Sequence, residues 1–196
     1  MVGASVGCIE TMVQAMQAAV STNTELSYQV LHMDSNLATI IVGPVVCVVW
    51  RGVADSFGNL QVQTAGVQAL KQYPAGIAVL GVVEDTHQVP NAEARKSSAQ
   101  VNDRLAEFGA VGFAGVLPLK GFAGAWTRGV VTGLTLLARR RYPFHVFQYE
   151  EEATKWLAQL LHERANVKCD AAAVARAIRR FRREYAEYCS APSSSI

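Results

Sequence analysis

Apolar residues recur at three- and four-residue intervals near the start of the chain, where Val6, Ile9, Met12, Val13, Met16 and Val20 share one face of a helix predicted over residues 6–20. The stretch that follows, "STNTELSYQVLHMDSN", is polar and punctuated and reads as a linker. Met33 stands at the change of composition, and a natural start there is an alternative reading that makes the preceding residues dispensable. From Ala38 the pattern turns to β-branched runs. "ATIIVG" and "VVCVVWRG" flank a Gly43-Pro44 turn and predict two short strands joined as a hairpin.

Beyond the hairpin, helical and strand periods alternate. "DSFGNLQVQTAGVQALKQYP" carries a cap at Asp55 or Ser56 and helical spacing up to Pro74. "GIAVLGVVE" is apolar without alternation, as expected of a strand covered on both faces. "NAEARKSSAQVNDRLAEFG" predicts a helix closing on Gly109, and "AVGFAGVLP" a further strand. After a helix over Ala125 to Arg141 come the strand "FHVFQYE" and the helix "EEEATKWLAQLL", whose first-turn acids suit the positive end of the helix dipole. Parallel strands with helical crossovers after one antiparallel strand make an α/β fold with a mixed, mostly parallel five-stranded sheet. The organisation expected is an N-terminal helix and linker over 1–37, the α/β domain over 38–163, and a basic helix with a disordered tail over 164–196.

The stretch "AWTRGVVTGLTLLARRRYP" is apolar enough to raise the question of a membrane span. A span needs about 20 mainly apolar residues, and this run is broken by Arg128, Gly and Thr. A crossover helix fits better: Gly129 and Gly133 share a face that lets the backbone approach the sheet, and Arg139, Arg140 and Arg141 stand at the negative end. Arg128 reads as a solvated or paired structural residue rather than a catalytic one.

Charge adds one asymmetry. The net charge is only +2, but from Arg164 onward seven Lys/Arg stand against three Asp/Glu, leaving eleven against thirteen before it. "AAAVARAIRRFRREYAEY" places Val174, Ile178, Phe181, Tyr185 and Tyr188 on one stripe, with Arg176, Arg179, Arg180, Arg182 and Arg183 around the other faces. Docking of the stripe on the body is the expectation; nucleic acid or an anionic membrane is the weaker alternative for the arginines. Cys8, Cys47, Cys169 and Cys189 form no C-x-x-C pair, so no metal site is expected and a reducing, cytoplasmic compartment fits. The start "MVGASVGC" lacks a basic n-region and room for an apolar h-region, and does not read as a signal peptide.

Catalytic signals are thin. His32, His87, His145 and His162 are scattered; Asp85 and His87 in one loop form the best local pair, and they read as loop surface. No nucleophile elbow, Walker or dinucleotide glycine pattern occurs, and no cofactor is expected. "GFAGAW" opens a helix and could offer free amides to an anion, but tight turning explains its glycines.

The hairpin ending "VVWRG", the strand "GIAVLGVVE", the helix "RGVVTGLTLLAR" and the ending "HVFQYEEEATKWLAQLL" resemble STAS-type domains, most closely the SpoIIAA-like subset of bacterial proteins, over Ala38 to Leu161. The resemblance implies binding of a protein partner in signalling rather than chemistry. It also implies a phosphorylatable serine after the third strand; here only Thr86 stands near that place, beside Glu84 and Asp85, and no Ser-Gly follows. Asp85, His87, Trp126 and Arg128 are the partner or ligand surface it suggests. A small apolar ligand or lipid is the alternative occupant, an enzyme of unknown reaction comes third, and the terminal helices are the expected route to a homo-oligomer.

Overall fold

The computed structural model describes residues 26–84, 91–117 and 142–191. Six strands and four helices follow along the described chain: β1 Gln29–Met33, β2 Leu37–Val42, β3 Val45–Trp50, α1 Ser56–Gln72, β4 Ile77–Val83, α2 Ala92–Phe108, β5 Ala110–Val116, β6 Phe144–Phe147, α3 Glu150–Ala165 and α4 Ala171–Ser190. Local chemistry sets the helix ends. Asp55, Asn91 and Asp170 each accept a hydrogen bond from the backbone N–H three residues on, at 2.7, 2.8 and 3.0 Å, and so cap α1, α2 and α4. Gly109 closes α2 and left-handed Asn166 closes α3.

The sheet runs β1-β2-β3-β4-β5-β6, with the first two pairs antiparallel and the remaining three parallel. The predicted hairpin is β2 and β3, paired from Leu37↔Trp50 to Val42↔Val45 across a turn in which Gly43 takes φ +54. Two corrections concern the other side of β2. The described sheet has six strands, not five, and the segment read as a linker contains the sixth, β1. Its polar residues obscured an inward set, Tyr28, Val30 and Met33, that is buried in the core. Residues 29–33 are therefore part of the sheet, and Tyr28 just before them packs in the core. The predicted helix over 6–20 and the crossover helix with Gly129 and Gly133 lie outside the described residues.

Helices cover both faces. On one, α1 and α2 bury Val62, Ala65, Val101 and Leu105 against Ile41, Val46, Val48, Val79 and Phe113. On the other, α3 and α4 bury Leu157, Leu161, Ile178, Phe181 and Tyr185 against Ile40, Cys47, Val49, Leu80 and Val116. The stripe predicted from Val174 to Tyr185 is the buried face of α4, and Tyr188 packs at its margin. α4 touches β2 and β3, while α3 lies over β4, β5 and β6. The C-terminal helix thus completes the layer that the crossover helices leave open, and every central strand is covered on both sides. No described helix is long and apolar enough to cross a membrane.

Candidate functional site

The carboxyl ends of parallel strands are where open α/β sheets gather polar function. Here β3 ends at Trp50 and continues into Arg51, β4 ends at Val83 and continues into Glu84, and the short link after β6 leads to Glu150 at the start of α3. α4 passes the same edge and contributes Arg182. These four side chains form one chain of charge. Arg51 Nε lies 3.2 Å from Glu84 Oε2, Arg182 Nε donates to Glu84 Oε1 at 2.9 Å, and an Arg182 Nη also meets Glu150. Glu151 pairs with Arg179 just outside it. Each carboxylate is met by a guanidinium, and the side chains of Glu150, Glu84 and Arg182 are only 10, 19 and 22 % exposed. Such a cluster neutralises itself and fastens elements together. It leaves no opposed pair of titratable groups for acid–base work.

Flanking groups extend the edge. Asp34 organises the β1–β2 turn by accepting from the backbone N–H groups of Asn36 and Leu37 at 2.7 and 2.9 Å and meeting His32 Nε2 at 2.9 Å. Burial pushes the Asp34 carboxyl up, but the Asn36 amide, His32 and the Leu37 amide together outweigh it and hold it below the usual carboxylate range. The Arg51 guanidinium also lies over the Tyr185 ring, 5.6 Å from its centroid. Burial drives the Tyr185 hydroxyl well above the ordinary tyrosine range.

At the β6 margin the surface is aromatic. His145, Phe147 and Trp156 meet with ring centroids 4.6 to 6.0 Å apart, and Tyr149, two residues past the end of β6, is 50 % exposed. β6 is an outer strand, paired within the described sheet only to β5.

The residues singled out from the sequence fare unequally. Thr86, Asp85, His87, Trp126 and Arg128 lie outside the described residues. Of the five arginines, Arg176 and Arg183 are exposed. The other three meet partners: Arg179 meets Glu151 at the surface, Arg182 meets Glu84 and Glu150, and Arg180 meets Glu184 and the face of Tyr28. Arg51 and Glu150 were not singled out. Their signal was a charge directly at the end of an apolar strand or at the first position of a helix, in "VVWRG" and "QYEEE". Among the described residues no three His, Cys, Asp or Glu side chains converge to hold a metal. A shallow depression lined by Gln63, Thr64, Val67, Gln68 and Lys71 lies on the outer side of α1, not between helix and sheet.

No family model, no curated protein and no solved structure matches this chain.

Proposed function

We propose that the chain is a STAS-like domain of the SpoIIAA-like kind that binds a protein partner in bacterial cytoplasmic signalling, through the aromatic margin of β6 and α3. The observation that carries the reading is the exposed His145, whose ring meets Phe147 and Trp156 on an outer strand, with exposed Tyr149 two residues past the strand's end. Partner surfaces are enriched in such aromatic side chains, which bring large contact area at low entropic cost. The order of strands and helices from Ala38 to Leu161 supports the STAS-like assignment. The polar edge supports binding over catalysis because its carboxylates are engaged by Arg51 and Arg182.

The test is affinity capture from cells of the native organism with the full chain and with a Tyr149→Ala, His145→Ala double variant, both positions being exposed. Loss of a stoichiometric protein in the variant, with an unchanged melting temperature, is the expected result. Native mass spectrometry that shows a retained lipid or metabolite, with no protein depending on Tyr149, would replace this reading with ligand binding.

A further inference from the structure

α1 is apolar on two opposite sides. Its sheet-facing side is the row Gly58, Val62, Ala65 and Ala69, which packs in the core. A second row, Phe57, Leu60, Thr64, Val67 and Lys71, runs down the outer side at alternating three- and four-residue spacing. That is the spacing of a helix–helix seam. Phe57 and Leu60 are 56 and 55 % exposed, Thr64 and Lys71 are exposed, and Val67 is half-buried. A helix with a solvent-facing side ordinarily carries charge there, yet no Asp, Glu, Lys or Arg occurs between Ser56 and Leu70.

We infer that α1 is a self-association face, on which two copies of this chain meet as an antiparallel, two-fold symmetric helix pair centred on Thr64. Three observations select a second copy. The row is neutral over 15 positions from Ser56 to Leu70, so it meets its own image without opposing like charges. Thr64 is the middle residue of the helix Ser56–Gln72, so an antiparallel copy overlaps it from end to end with a small side chain at the crossing point. The Thr64 hydroxyl donates to the Leu60 carbonyl at 3.0 Å and so brings no unsatisfied donor into the contact. The third observation is the placing of the two flanking charges, Asp55 at the N-terminal cap and Lys71 in the last turn. Antiparallel pairing lays the Lys71 stem against Phe57 of the second copy and brings its ammonium towards that copy's Asp55. The same happens again at the symmetry-related end.

One pair of helices about 25 Å long buries less than the roughly 1,600 Å² of a standard interface, so the dimer is of micromolar affinity or weaker. Sedimentation velocity of the full chain between about 5 and 500 μM, a range suited to an interface of this size, should show the mass rising from 21.2 kDa towards twice that value. Thr64→Glu sets two carboxylates face to face and should weaken association at least ~10-fold with an unchanged melting temperature. Thr64→Cys should give a disulfide-linked dimer on mild oxidation, because a pair centred on Thr64 brings the two positions within bonding distance. The wild type, with Cys8, Cys47, Cys169 and Cys189, supplies the background. If Thr64→Glu lowers the melting temperature, Leu60→Gln takes its place with the same expectation. A wild type that stays monomeric throughout overturns the inference. So does a dimer that Thr64→Glu or Leu60→Gln does not weaken, or a Thr64→Cys variant that neither cross-links nor reacts with a thiol reagent, which would show the row covered within one chain.

Discussion

Arg182 on α4 donates from Nε to Glu84 Oε1 at 2.9 Å, across 98 positions of sequence, and so fastens the C-terminal helix to the end of β4. The same guanidinium meets Glu150 at the head of α3, and Glu84 also holds Arg51. One arginine therefore joins two helices to the edge of the sheet. Removing it leaves Glu150, only 10 % exposed, without its guanidinium and Glu84 with Arg51 alone.

Arg182→Met should for that reason cost about 3 kcal/mol in urea denaturation, the range seen when one member of a buried pair is deleted. Adding Glu150→Gln should recover much of the loss, because Glu84 still meets Arg51 and no carboxylate of the cluster is then left without a guanidinium. A single-variant cost below about 1 kcal/mol, the level of exposed ion pairs, would mean that the cluster is solvated.

Phe181 is fully buried between α4 and the sheet, with its ring 5.4 Å from that of Tyr28 beside β1. Phe181→Ala removes the largest apolar side chain that α4 contributes and should cost about 3–5 kcal/mol. Ending the chain after Lys168 strips the whole layer from β2 and β3. We expect that shortened chain to aggregate or to bind a hydrophobic dye; a soluble product with cooperative unfolding like that of the full chain would contradict the docking of α4.

Two glycines should respond with opposite sign to the same substitution. A Cβ on Gly58 would lie 2.2 Å from Trp50 Cη2, whereas one on Gly81 meets nothing closer than the Ala114 carbonyl at 4.0 Å. Gly58→Ala should therefore cost about 1–3 kcal/mol by overpacking α1 against β3. Gly81→Ala should be neutral or stabilise by up to ~1 kcal/mol through the unfolded chain. Equal denaturation midpoints for the two variants would show that the α1–β3 contact is looser than described.

Burial pushes the Cys47 thiol from 9.0 up to about 12, with Arg182 lowering it less than burial raises it. A thiol whose pKa is raised on folding stabilises the native state fully below its unfolded value, and that contribution is lost as pH rises towards the folded one. Stability should decline from about pH 9 upwards, and Cys47→Ala should decline less steeply. Tyr28 and Tyr185, also raised chiefly by burial, add to the loss at still higher pH. Cys47 should react with a thiol reagent only at the rate of unfolding; rapid labelling at neutral pH would refute its burial.

The sequence by itself determined the parts whose signal is local and periodic. The β-branched runs around Gly43 form a hairpin wherever they are placed, and Val174, Ile178, Phe181 and Tyr185 share a helix face by spacing alone. Caps at Asp55 and at the Gly109 end of α2 were equally legible, because each acts within three or four residues. β1 was not legible: a short edge strand with Gln29 and His32 among its apolar residues has a weak pattern, and it becomes a strand by pairing with β2. The charge cluster was decided by the tertiary structure alone. Nothing local couples Arg51, Glu84, Glu150 and Arg182; the crossover connections bring the carboxyl ends of β3 and β4 together, and the docking of α4 carries Arg182 to them. Coulombic partners are chosen by distance in space, and distance in space is what a one-dimensional pattern does not contain.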